Sequence, residues 1–272
     1  FTVGSVNYAS AMFIAIIWAF VDGGLIFEWQ AIIFGIVQGI VYQTMWIALF
    51  SMLALGGLSI SFTINRLAIA IPIAGGIFLW GETPSTFRIA GIILSFLALP
   101  LIGSDAQRGA RRTSRSKLLM PFLTIYAVLA LGFSGLAARA FVETRVSSNA
   151  GDVTAFLFIA ATTCSIITWP FVRRLVSKES IRQRQNNRAV NTHTWHIALL
   201  VGAALGILNF IQAISLTNAL LHFPSSFVFP FIASVALLVL SAIDYIVWKQ
   251  RFGRLTIIGL ILSAITVILI NF

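Results

Sequence analysis

Apolar stretches of about twenty residues recur along the whole chain, broken by short segments that hold most of the glycine, proline and charge. Nine can be marked out, at approximately 5–21, 31–53, 59–80, 87–103, 118–138, 152–171, 195–215, 223–248 and 254–271. A bilayer core about 30 Å thick is crossed by roughly 20 apolar residues in a helix. Lipid offers no partner to exposed backbone N–H and C=O groups, so each stretch is predicted to be helical.

The pattern occurs twice. At an offset of 167, Gly35 aligns with Gly202, Gly39 with Gly206, Ile47 with Ile214, Leu49 with Leu216 and Ser59 with Ser226. After one inserted residue, Trp80 aligns with Trp248, Ile89 with Ile257, Gly91 with Gly259, Leu94 with Leu262 and Ser95 with Ser263. Five crossings separate matched positions, an odd number, so the two copies are expected to face opposite ways across the membrane, an arrangement found in many secondary transporters. The expected fold is therefore an all-α membrane protein, a polytopic bundle of nine visible helices drawn from two inverted five-helix repeats. Residues 1–103 supply four helices of the first repeat, 104–117 a basic linker and 118–272 the second repeat. The missing helix of the first copy is expected to precede residue 1.

Composition narrows the class: 59% of residues are hydrophobic and 10% charged, with a mean hydropathy of +0.97, outside the soluble range. The net charge of +10 raises the question of nucleic acid, but the placement of the charge answers it. Numbering the connections alternately, one side collects Arg108, Arg111, Arg112, Arg115 and Lys117, then Arg173, Arg174, Lys178, Arg182, Arg184 and Arg188, then Lys249, Arg251 and Arg254. The other has Arg88, Arg139 and Arg145. This asymmetry predicts a multi-pass protein of an inner or plasma membrane with its basic loops in the cytoplasm, and the loops lack the interleaved aromatics of a nucleic-acid surface. The segment from Arg173 to Arg188 reads as a solvated loop, the alternative being an interfacial basic helix. The lone Cys164 forms no disulfide framework, and no metal or cofactor site is expected.

Several motifs carry a family likeness. Asn209, Thr217-Asn218-Ala219-Leu220, Pro224, Val228-Phe229-Pro230, Trp248 and Ile257-Ile258-Gly259 resemble the C-terminal half of an EamA-type permease of the drug/metabolite transporter superfamily. Asn65-Arg66-Leu67, Pro72, Trp80-Gly81-Glu82 and Gly91 are similar to its N-terminal half. The resemblance covers nearly the whole chain and implies ten helices in two halves and movement of small metabolites, often outward. The chain departs from the family in carrying Gln250 where the second half commonly has an acid equivalent to Glu82. Family members commonly keep both termini in the cytoplasm, opposite to the orientation that the charge asymmetry favours here.

Polar residues at membrane depth are costly unless paired or hydrated, so they are the candidates for a site. Arg66 lies about seven residues inside its stretch, on one helical face with Ser59 and Thr63. It reads either as a cavity-facing anion partner or as a guanidinium satisfied by carbonyls. Gln38, Tyr42 and Trp46 recur every four residues, and the repeat matches Tyr42 to Asn209, with Gln212 one turn beyond. These six residues are the expected substrate-binding set, the alternative for the amides being interhelical hydrogen bonding. Pro72, Phe229 and Pro230 are candidates for gates or simple packing kinks. Glu82 is expected to cap the turn after its helix or to pair with Arg88.

No carboxylate falls at mid-membrane, which suits facilitated diffusion or exchange better than a proton-driven carrier, with proton coupling through Asp244 as the open alternative. The leading expectation is an alternating-access transporter, not an enzyme, for a small polar or amphipathic metabolite. An intramembrane enzyme acting on a lipid-linked substrate and a non-transporting scaffold are the alternatives. The partners expected are that small molecule and the bilayer.

Overall fold

The structure, a computed structural model, describes residues 2–54, 68–103, 116–144, 150–184, 194–247, 249 and 253–272. Among the described residues the regular secondary structure is entirely helical. The helices are α1 (Thr2–Val21), α2 (Trp29–Ala54), α3 (Ala70–Trp80), α4 (Thr86–Gly103), α5 (Ser116–Glu143), α6 (Ala150–Arg184), α7 (Thr194–His222), α8 (Ser225–Val247) and α9 (Arg254–Ile270). Six of them, α1, α2, α5, α6, α7 and α8, contain spans long and apolar enough to cross a bilayer; the apolar parts of α3, α4 and α9 are shorter. Large apolar side chains stand exposed along α2 and α7, among them Ile33, Ile36, Ile40, Ile197, Leu200 and Leu208. Such surfaces are those of a membrane-embedded protein, because lipid rather than water is the solvent that suits them.

One segment departs from expectation. The basic stretch after Phe171 continues α6 as far as Arg184 instead of forming a loop. Its Arg, Lys, Glu, Gln and Leu residues are good helix formers, and Pro170 does not end the helix. At 35 residues and 1.5 Å per residue, α6 is about 52 Å long, well beyond the thickness of a bilayer core.

The helices fall into two compact units, and each draws helices from both sides of the 104–117 linker: Phe1–Trp46 with Phe141–Asn218, and Ile47–Ala140 with Ala219–Phe272.

In the first unit α6 is the central helix. Ala150–Phe158 is buried without a break, and Ala11, Ala15 and Ala19 of α1 pack against it at the four-residue spacing of one helical face. Ser5 meets Ser165, while Trp18 lies by Gly151, so α1 and α6 run antiparallel. Two glycines of α2 and two of α7 allow still closer approach. Gly39 abuts the backbone of Leu157 and Ala161 and the methyl of Ala160; Gly206 abuts the backbone of Asn7 and Ala11 and the Cβ of Ser10. Gly35 similarly meets Phe156 and Gly202 meets Val6. These are the same contact made twice. Gly39 and Gly206 are 167 apart, while their partners correspond at an offset of 150: Leu157 for Asn7, Ala160 for Ser10, Ala161 for Ala11. Exchanging α1 with α6 and α2 with α7 therefore maps one set of contacts on the other, and because α1 and α6 are antiparallel the exchange reverses the chain direction.

In the second unit α4 and α9 form the most extensive helix pair. Phe87 at the start of α4 meets Phe272 just beyond the end of α9, and Gly91 meets Ile270, so this pair is antiparallel too. Each helix buries a stripe of small residues: Gly91, Ser95 and Ala98 on α4, and Thr256, Gly259, Ser263, Thr266 and Ile270 on α9. Small side chains suit helix contacts in lipid, where association relies on close packing rather than on a hydrophobic driving force.

A Cβ at Gly206 would fall against the Asn7 carbonyl and Ser10. Gly206→Val is expected to lower stability by roughly 1–3 kcal/mol through overpacking, measured by thermal unfolding of the purified protein. Ile207→Val, on an exposed position of the same helix, should change it little.

Candidate functional site

The first unit carries an uncharged polar inlay built on α1. Asn7, fully buried, accepts a hydrogen bond at Oδ1 from Asn209 Nδ2 of α7 at 2.8 Å. The next residue, Tyr8, donates its hydroxyl to the backbone carbonyl of Tyr42 in α2 at 2.9 Å. The Tyr8 ring is set against Trp46 with centroids 6.3 Å apart, and Tyr42 lies edge-on to Phe158 of α6 at 6.5 Å. Gly4 makes room for the Trp46 indole, which lies where a Cβ would stand. Toward the α1 start, Ser5 and Ser165 hydroxyls are 2.7 Å apart, and Gln43 Nε2 donates to Thr168 Oγ1 at 3.1 Å.

Of the residues expected from sequence, Tyr42, Trp46 and Asn209 are thus brought together around Asn7 and Tyr8. Gln38 is buried on α2 and Gln212 is exposed on α7. Arg66 lies outside the described residues. Sequence reasoning passed over Asn7, Tyr8, Gln43 and Thr168. The available signal was a carboxamide followed by a phenol in an otherwise apolar α1.

A second polar cluster, in the other unit, is charged. Gly81 takes a left-handed conformation (φ 64°) that ends α3, and the Glu82 amide donates back to the Gly76 carbonyl at 3.0 Å, a glycine-dependent helix stop. That turn folds the Glu82 side chain over Gly76, where a Cβ would lie 2.7 Å from Oε2. The carboxylate then accepts the first two amides of α8, from Ser225 at 2.7 Å and Ser226 at 2.9 Å. Pro224 precedes them and has no side-chain acceptor, so Glu82 acts as the cap that the local sequence lacks. Arg139 Nε is 3.4 Å from Glu82 Oε1, with both side chains largely buried at 12% and 6% exposure. Its Nη1 donates to the Leu220 carbonyl at 2.9 Å near the end of α7.

Two expectations are corrected here. Glu82 pairs with Arg139, not Arg88, whose guanidinium instead lies over the Phe227 ring at 5.9 Å. Arg139 is not in a connection, because α5 continues to Glu143 and carries it inward.

The candidate gate residues belong to this unit as well. A Cβ at Gly135 of α5 would be 3.0 Å from Pro72 Cγ and 3.2 Å from the Phe229 ring, so Pro72 and Phe229 converge on Gly135. Pro230 is buried within α8.

Among solved structures, 18 chains match. One, described only as a crystal structure of a protein, superposes with a TM-score of 0.71 over 99% of this chain and 88% of its own, at 12% identity. At that identity the likeness establishes a shared fold. No family model matches the chain, and no curated protein matches its sequence.

Removing one partner of a buried ion pair leaves the other charge uncompensated, so Glu82→Gln should cost roughly 3–5 kcal/mol. The double variant Glu82→Gln with Arg139→Met should recover part of that loss in the same unfolding measurement.

Proposed function

We propose that the protein is a secondary transporter that moves a small polar or amphipathic metabolite by alternating access, as an exporter, facilitator or exchanger. The observation that carries this reading is the doubled contact set of the first unit. A helix pair used twice, with its direction reversed, is what inverted repeats produce, and inverted repeats furnish alternative packings of similar energy for opposite faces of a membrane. The antiparallel α4 and α9 pair, which buries matching positions Gly91 with Gly259 and Ser95 with Ser263 in its stripes, supports the same reading. On this proposal the nine helices of the described residues all cross the bilayer, as members of two inverted repeats of the kind that the resemblance to EamA-type permeases implies.

The ligand-handling surface is the polar inlay of the first unit, with Tyr42, Trp46 and Asn209 around Asn7. Arg66 is proposed to recognise an anionic group of the substrate. Interhelical hydrogen bonds of this kind contribute only about 0.6 kcal/mol on average, little enough to be exchanged for contacts with a ligand.

The test begins with a thermal-shift screen of metabolites on the purified protein, since a ligand that prefers the folded state raises stability by mass action. Flux of the hits into liposomes should then saturate, and Arg66→Met should abolish or sharply weaken flux of anionic or zwitterionic hits while leaving insertion intact. Ligand binding without flux in any direction would rule out a carrier.

The basic loops are proposed to be cytoplasmic. Cysteines placed at Arg111 and Arg182 should resist a membrane-impermeant thiol reagent in intact cells and react once the membrane is opened. Reaction of both from outside would reverse the orientation.

A further inference from the structure

The two equivalent ends of the first unit are chemically different, although their helix contacts correspond. At the end where α1 begins, Ser5 meets Ser165 and Gln43 meets Thr168. Applying the offsets of 150 and 167, the corresponding positions at the other end are Ala155 with Ala15 and Phe210 with Trp18. There both alanines are fully buried, and the two rings pack with centroids 6.1 Å apart. Apolar residues therefore suffice for this contact. The polar set at the first end is not required for helix association.

Its hydrogen bonding is also directional. Thr168 has one hydroxyl proton, which goes to the Cys164 carbonyl at 2.8 Å with Ser165 O a further acceptor at 3.3 Å. Its Oγ1 can then only accept from Gln43, which fixes Gln43 with Nε2 toward Thr168 and Oε1 away from it. Gln43 is 1% exposed, and among the described residues Oε1 has no hydrogen-bond partner. A buried amide oxygen held in one orientation without a donor is an energetic cost that calls for an explanation. One turn along the same face of α2 stands Trp46, lodged on Gly4 beside Ser5.

We propose that this end of the first unit is a binding subsite for an amine or ammonium group, with Gln43 Oε1 accepting its proton and the Trp46 indole flanking it. This inference rests on the transport reading and deepens it: the polar end would hold the amino group of the substrate. An amide carbonyl binds an N–H donor without imposing a charge, and an indole face favours a cation beside it.

The test uses the full chain in nanodiscs of zwitterionic lipid, with radiolabelled benzylamine as the probe and empty nanodiscs as the blank. Saturable binding is expected, with benzyltrimethylammonium, which has the charge and no N–H, competing at least tenfold more weakly than unlabelled benzylamine. Gln43→Leu should weaken binding at least tenfold, and Phe210→Leu, at the corresponding position of the apolar end, should not. Should Gln43→Leu fail to fold, Thr168→Val tests the same point by freeing the amide to turn, and Thr168→Ser should restore binding. Absence of saturable binding, equal competition by the two probes, or equal loss in the Gln43 and Phe210 variants would overturn the proposal. Gln43-dependent binding with no flux in liposomes would instead retain the subsite and sink the carrier reading, whereas flux without it would do the reverse.

Discussion

Close approach of helix backbones at Gly35, Gly39, Gly202 and Gly206 is the constraint on which the first unit depends. In lipid an apolar side chain gains little by leaving solvent for another helix, so association must come from contact area and from polar groups that meet. A glycine every four residues on α2 and α7 lets two helices approach until Cβ atoms and carbonyls of the partner fill the space a side chain would take. With α7 held this near to α1, the Asn209 amide reaches Asn7; with α2 packed on α6, Gln43 reaches Thr168. The polar inlay is thus a consequence of the glycine contacts. A larger residue at Gly206 would separate the very helices whose amides must meet.

The second unit solves a different problem. Glu82 and Arg139 are costly to bury, and both are held by several partners: Glu82 by two backbone amides and a guanidinium, Arg139 by the carboxylate and a carbonyl. The pair completes the ends of helices that the local sequence leaves open, since Pro224 cannot cap α8 with a side chain. Gly81 and Gly76 make the arrangement possible, one through its left-handed turn and the other by giving room to the carboxylate. The Trp80-Gly81-Glu82 motif therefore has a local physical meaning, independent of any likeness to a family.

Much of this was legible in the sequence where a residue type and its spacing had a single structural use. Among the described residues the apolar stretches located the helices, residues 59–67 of the third stretch lying outside them, and the glycines of α2 and α7 located the close contacts, because no other residue fits them. Tyr42, Trp46 and Asn209, expected at a substrate cavity with interhelical hydrogen bonding as the alternative, lie in the polar inlay, where Asn209 makes such a bond. The correspondence of α1 with α6 was hidden, since the extension of α6 shifts the offset from 150 to 167 and the two share few identities beyond Ala11 with Ala161, Ile16 with Ile166 and Ile17 with Ile167. The Glu82 and Arg139 pair was illegible for another reason. It joins residues 57 apart, and Arg139 lies just past the point where hydropathy marks the end of its helix. The α6 extension was the less favoured of two readings because hydropathy reports what suits lipid, whereas a charged segment becomes helical through propensity.

The contrast between the two clusters bears on what each can do. A buried ion pair gains from fixed geometry and loses heavily when one partner moves away, so the Glu82 cluster suits a part that keeps its shape. Neutral amide and hydroxyl contacts exchange at small cost, and Asn7 and Gln43 each keep a polar atom that no group among the described residues meets. Those two atoms oppose the tight packing that the glycines favour, which narrows the gap between the packed arrangement and one in which the same atoms meet a ligand. In a carrier such a near balance is necessary, because a surface bound too firmly in one arrangement would not release to the other. On the proposed transport reading, the uncharged inlay, rather than the ion pair, is therefore the place where movement and binding would be coupled.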